Sequence, residues 1–180
     1  MTTFEAQLLE RARQYESQAL AEIYDLYAES IYRYLHRTIG DATCAEDLTG
    51  DVFLRLLQAL NTNRAPRDKL QGWLFRVAHN LAMDWFRNGG KSATVTLEEE
   101  LAGEASPPSR LVERWEMEER LRFAVRQLTR DQQQVVLLRF GEGLTAARVG
   151  ELLGKSEGAV KILQHRAVKR LRKLLEQEER

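Results

Sequence analysis

The residues best placed to do chemistry lie between Lys155 and Lys173, where seven Lys and Arg stand against one acidic residue, Glu157. Lys161, His165, Lys169 and Arg172 recur at helical spacing, with Ile162, Arg166 and Lys173 beside them. Val160, Leu163, Ala167, Leu171 and Leu174 form an apolar line on the other side. A row of cations on one helix face can pair with phosphates or simply stand in water. The preceding residues say how that face is presented. Thr145 is a helix N-cap type followed by Val149, Leu152 and Leu153; Gly154 permits a left-handed stop; Ser156 is a second N-cap, with Lys155 in the turn. A short helix, a tight turn and a long basic helix make a helix-turn-helix, whose second helix enters the DNA major groove. The same geometry also occurs in folds that bind no DNA.

Two further faces combine useful side chains. In LQGWLFRVAHNLAMDWFR, Leu70, Leu74, Val77, Leu81 and Trp85 make an apolar line, and Trp73, Arg76, Asn80, Asp84 and Arg87 make a second one. The turn-rich loop Asn61–Lys69 before it carries Arg64, Arg67 and Lys69. An indole stacks on bases, a guanidinium pairs with phosphate, and an amide offers a donor and an acceptor to a base edge. That set suits an unstacked single strand; a half-buried Trp73 among solvated charges is the competing reading. In EDLTGDVFLRLLQAL, Asp47, Asp51, Arg55 and Gln58 share a polar face, which is either solvated or a contact surface for a basic partner. Gly50 within this helix costs about 1 kcal/mol against Ala.

The elements that must position these faces are helices throughout. Phe4–Tyr15 turns Leu8, Leu9 and Ala12 inward, and a longer helix runs from Ser17 to Gly40. Its tyrosines are expected at core edges with hydroxyls at the surface. Thr43 and Glu46 suggest a capping box for the next helix, with Leu48, Val52, Phe53, Leu56, Leu57 and Leu60 as its buried stripe. After Gly89-Gly90, Lys91–Ser109 reads as a linker containing Glu98, Glu99, Glu100 and Pro107-Pro108. Helix returns over Leu111–Leu128, Thr129 and Gln132 cap the next one, and Gly141 and Gly143 end it. The expected fold is all-α: two small helical domains, 1–90 and 113–180, joined by a flexible linker, 91–112.

Composition narrows the function classes. The net charge is zero over 180 residues, yet residues 113–180 hold 15 Lys and Arg against 11 Asp and Glu, while residues 1–90 hold 10 against 12. Basic charge is therefore local to one module. A lone cysteine, Cys44, excludes an intramolecular disulfide and fits a reducing compartment. No signal core or membrane span is visible, so a cytoplasmic protein without membrane insertion is expected. His36, His79 and His165 are far apart and no Gly-rich phosphate loop occurs, so neither an enzyme nor a metal or cofactor site is expected.

AEDLTGDVFLRLLQAL, GWLFRVAHNLAMDWFR and LTRDQQQVVLLRFGEGLTAARVGELLGKSEGAVKILQHRAVKRLRKLL together resemble the extracytoplasmic-function (ECF) group of bacterial RNA polymerase sigma factors, over nearly the whole chain. The resemblance implies a subunit that docks on core RNA polymerase and directs promoter-specific initiation. Residues 1–90 then correspond to region 2 and residues 113–180 to region 4. Asp47 and Asp51 fall on acidic polymerase contacts, with Arg55 and Gln58 on the same face, and Gly50 replaces the family's usual Gln. Arg64, Arg67, Lys69, Trp73, Arg76, Asn80 and Arg87 match the face that melts and holds the −10 element. Lys155, Ser156, Lys161, Ile162, His165, Arg166 and Lys169 match the reader of −35 duplex. Ile162 and His165 are weak base-edge readers, which leaves part of the selectivity to DNA shape. The family also implies an anti-sigma factor as partner, and acidic linker residues that could mimic RNA phosphates. The alternative is a helix-turn-helix regulator whose N-terminal helices only dimerise.

Overall fold

A computed structural model describes residues 4–62, 64–66, 69–90, 117 and 119–178, and every regular element among these is helical. The expected linker 91–112, the start of the helix expected at Leu111, and Arg67 lie outside the described residues. The chain divides into two compact units, Met1–Thr96 and Leu97–Arg180.

The first unit contains α1 (Phe4–Arg13), α2 (Ser17–Ile39), α3 (Ala42–Asn61) and α4 (Leu70–Arg87). The last three pack on one another, and α1 lies against all of them. Leu8, Leu9 and Ala12 are buried as their spacing requires. Polar staples add direction to that burial. Arg11 donates to Glu16 at 2.8 Å and reaches Glu22, and the Tyr27 hydroxyl donates to Glu5 at 2.8 Å. The bond from Arg11 holds the Glu16 carboxyl below its ordinary range, and burial with the Glu5 bond pushes the Tyr27 hydroxyl up.

Three features of this unit differ from expectation. The N-cap of α3 is Asp41, whose carboxylate accepts from the Cys44 amide at 2.8 Å, instead of a Thr43–Glu46 box. Gly40 is left-handed at φ 83° and Asp41 extended, so the chain enters helix one residue before Thr43. Those backbone bonds keep the Asp41 carboxyl low, and burial, with the bond to Asp41, raises the Cys44 thiol. Tyr34 is fully buried, with its hydroxyl 2.9 Å from His79 Nδ1 and its ring edge-on to Phe75. Its phenol is enclosed where α2 crosses α4 and finds its partner inside the fold. Leu57 is 40% exposed and Leu54 52%. Apolar residues at 48, 52, 53, 54, 56, 57 and 60 wrap more of α3 than its neighbours cover.

The second unit contains α5 (residues 119–126), α6 (Arg130–Val136), α7 (Ala146–Leu153) and α8 (Glu157–Glu178). Thr129 and Gln132 form the expected reciprocal box at the start of α6. Beyond Val136 the helix widens into a π turn, Leu137–Gly141, in place of a simple stop. There Arg139 donates to Gln164 of α8 at 2.9 Å and to the Leu144 carbonyl, tying the turn to the helices that follow. Thr145 caps α7 and Ser156 caps α8, accepting from Ala159 at 3.1 Å. Gly154 stands at φ 65° between them.

Gly150, unremarked in the sequence, is where the turn is tightest. A Cβ there would lie 2.6 Å from the Lys155 carbonyl oxygen, closer than side-chain carbon approaches backbone. Gly50 is the opposite case, because nothing lies within 4 Å of its virtual Cβ. Gly150→Ala should therefore destabilise the second unit by about 1–3 kcal/mol through forced displacement of backbone. Gly50→Ala should stabilise the first by about 1 kcal/mol through helix propensity alone. Urea titrations followed by helical circular dichroism test the pair, and shifts of the same sign would refute this account of the two glycines.

Candidate nucleic-acid interface

The face of α4 is set by what its other side buries. Leu70, Leu74, Phe75, Ala78, Leu81 and Ala82 are buried, so Arg76 and Asn80 are turned to solvent and Trp73 is left half-buried. Val77 and Trp85, expected inward, are only partly covered. Trp73, Arg76 and Asn80 are spaced so that consecutive members are neighbours on the helix surface. Arg87 pairs with Asp84 one turn back, so its charge already has a partner. Arg64 and Lys69 are exposed beside the start of this helix. Lys69 occupies the left-handed region at φ 59°, an uncommon conformation for a residue with a side chain.

On α3, Asp47, Asp51, Arg55 and Gln58 are all exposed. Neither Asp47 nor Asp51 makes an ion pair with another described residue. Gly50, Leu54 and Leu57 are exposed on the same stretch, and Tyr24 of α2, 51% exposed, lies 4.8 Å from the Phe53 ring. The surface therefore mixes carboxylates with uncovered apolar groups. Leu57 and Tyr24 escaped the sequence reading because apolar side chains at helical spacing read as core, and Leu54 was given no role. The signal available was Leu54 lying one turn beyond Asp51, on the polar row itself.

The long helix α8 buries Val160 and Ala167 completely and presents Lys161, Ile162, His165, Arg166 and Lys169 to solvent. Exposed Ile162 is 54% accessible, an apolar group inside a basic field. Two of the cations are already paired: Lys155 with Asp131 of α6 at 2.8 Å, and Lys161 with Glu157 at 2.6 Å. Such pairs are partly or fully solvated and contribute little to stability, so phosphate can replace the carboxylate at small cost. Ser156 is committed to capping α8 and holds the start of the basic helix.

Known proteins agree with this division into two helical modules. Residues 23–92 match the family Sigma-70 region 2, and residues 124–173 match Sigma-70, region 4. The chain is 38% identical to the ECF RNA polymerase sigma factor BldN of Streptomyces coelicolor, over 94% of this chain and 65% of that protein. It is 31% identical to the ECF RNA polymerase sigma factor SigX of Bacillus subtilis, over 86% of this chain and 82% of that one. Among solved structures, CnrH in complex with the cytosolic domain of CnrY shares the fold, with a TM-score of 0.70 at 20% identity, over 96% of this chain and 97% of that one. With both sigma-70 regions matched in order and SigX similar along most of its length, the chain belongs to the ECF RNA polymerase sigma factors.

Proposed function

We propose that this protein binds core RNA polymerase and directs promoter-specific initiation, reading the −35 element as duplex and the −10 element as a melted strand. Residues 1–90 act as region 2, residues 113–180 as region 4, and residues 91–112 connect them. The role is one of binding and not catalysis, and it is exercised in the cytoplasm. No helix among the described residues is long and apolar enough to cross a membrane.

The observation that carries this reading is the outer face of α4. A regulator whose N-terminal helices merely dimerise would leave this outer row without base-reading groups. Instead Arg76 and Asn80 stand in solvent beside a half-buried indole while the opposite face is locked. Stacking on an aromatic contributes about 1–3 kcal/mol per base, enough to offset much of the few kcal/mol that unpairing costs. Arg64 and Lys69 near the start of α4, and Arg87 at its end, supply phosphate contacts, and Arg67 is assigned the same role from its place in the sequence. On α3, Asp47, Asp51, Arg55 and Gln58 dock on core polymerase, with Leu54 and Leu57 adding apolar contact. An anti-sigma factor that covered Tyr24, Leu54 and Leu57 would block the same face.

Reversing two exposed charges should break docking without unfolding α3. The Asp47→Lys, Asp51→Lys protein should compete poorly for core polymerase while keeping its helical signal; normal competition would reject the docking face.

On α8, phosphate contacts supply most of the affinity. Lys169→Ala should weaken −35 duplex binding alike for every sequence and lower the log–log salt slope by about 0.9. An unchanged slope would remove Lys169 from the interface.

Asn80→Ala should leave core binding and −35 recognition intact but lower open-complex formation by an amount worth about 1–3 kcal/mol, the scale of a lost base contact. A pre-melted promoter should recover part of the loss. Permanganate reactivity of −10 thymines reads this out, and wild-type opening by the variant would make Asn80 a structural residue.

A further inference from the structure

Segment 64–66, between α3 and α4, is held from two sides. From α3, the amides of Arg64 and Ala65 both donate to the Ala59 carbonyl, at 2.8 and 3.0 Å. From α1, Arg13 Nη2 donates to the carbonyls of Ala65 and Pro66, at 2.9 and 3.1 Å. Ala65 is itself buried, and Pro66 has a fixed φ and no amide hydrogen. Segment 64–66 thus has its donors turned to one helix and its acceptors to another, which leaves the Arg64 side chain exposed. The contacts span 52 and 53 residues of sequence, and Arg13 lies before the region 2 match, which begins at residue 23.

We propose that Arg13 is a positioning residue for −10 recognition: from α1 it clamps the loop that faces the melted strand, without touching DNA. The inference rests on the assignment of the loop and α4 to the −10 element. Its physical basis is preorganisation. A loop that must be ordered on binding forfeits affinity for every residue it fixes, and a loop ordered beforehand does not. Arginine suits the task because one terminal nitrogen can give a hydrogen to each of two successive carbonyls, while its planar head keeps both directions fixed. The clamp is itself anchored, since Arg11, on the same helix, is bonded to Glu16 and Glu22.

The test uses holoenzyme and a fluorescent single-stranded oligonucleotide carrying the −10 non-template sequence. Arg13→Ala should weaken strand binding about tenfold, the scale of one hydrogen bond from a charged donor. Arg13→Lys should fall between Arg13→Ala and wild type. Competition for core and binding to −35 duplex should not change. The salt slope should also stay constant, because positioning adds no phosphate contact; a drop of about 0.7 would mean that Arg13 touches the strand directly and would overturn the proposal. Hydrogen exchange should quicken at the amides of Arg64 and Ala65 but not within α1. Wild-type strand affinity in Arg13→Ala, or equal losses in all three binding assays, would also overturn it. Asn80→Ala serves as the control. If it weakens strand binding and Arg13→Ala does not, the clamp alone fails; if neither variant has an effect, the −10 assignment falls with it.

Discussion

What α4 can offer on its outside depends on a contact on its inside. Tyr34 brings a hydroxyl into the crossing of α2 and α4, where exposure of the residue is zero, and meets His79 Nδ1 at 2.9 Å. An unpartnered hydroxyl there would cost about 1–3 kcal/mol, so the pair penalises rotations of α4 that a purely apolar interface would tolerate. Phe75, edge-on to the same ring, adds a second directional contact. His79 sits immediately before Asn80 and three residues after Arg76, so fixing its ring fixes where both exposed side chains project. The outward face of α4 is thereby held by a polar contact made at the edge of its buried side.

The second unit solves a related problem with backbone. Gly150 lets the turn after α7 come so close that a methyl group would meet the Lys155 carbonyl, and the Lys155 amide in turn donates to the Gly150 carbonyl at 2.9 Å. Helix α8 is therefore placed by main-chain contacts, one hydroxyl cap and two arginines of other elements, Arg139 on Gln164 and Arg120 on the Leu175 carbonyl, with none of its own cations spent on holding it. That leaves its charges to surface partners that can be exchanged. Lys155 and Lys161 rest on Asp131 and Glu157. Counterions in this form keep a basic helix soluble and do not commit it to one geometry.

Much of this was legible because caps and periodicity are local. Thr145, Gly154, Ser156 and the Thr129–Gln132 box behave as their types and spacing require, since each satisfies amides or a backbone angle within a few residues. Failures came from a competing cap a few residues away and from distant elements. Thr43 and Glu46 have the spacing of a box, but Gly40 and Asp41 had already set the entry into α3. Leu57 has core periodicity, but no helix among the described residues covers that side of α3. Tyr34 was expected at the surface because nothing near it in sequence could bond its hydroxyl; its partner lies 45 residues away. The same distance hid Arg13, whose acceptors are backbone carbonyls that no motif records. On α3 and α4 the polar rows were legible and are exposed; what was not legible is how much of Trp73, Leu54 and Leu57 stays uncovered.

The two surfaces proposed to face DNA differ in kind. Contacts from α8 to duplex would be mainly ionic, and ionic affinity falls steeply with salt while discriminating little between sequences. The α4 face adds an indole and an amide, neutral groups suited to stacking and to base-edge hydrogen bonds. Stacking and base-edge hydrogen bonds need a base removed from its helix, so this surface gains nothing from closed duplex and its full interaction from an open one. A half-buried Trp73 fits that demand: the covered part of the ring fixes its plane, and the uncovered part is the area left for a base. On the proposed −10 assignment, preference for the melted state follows from which groups are held and which remain uncovered.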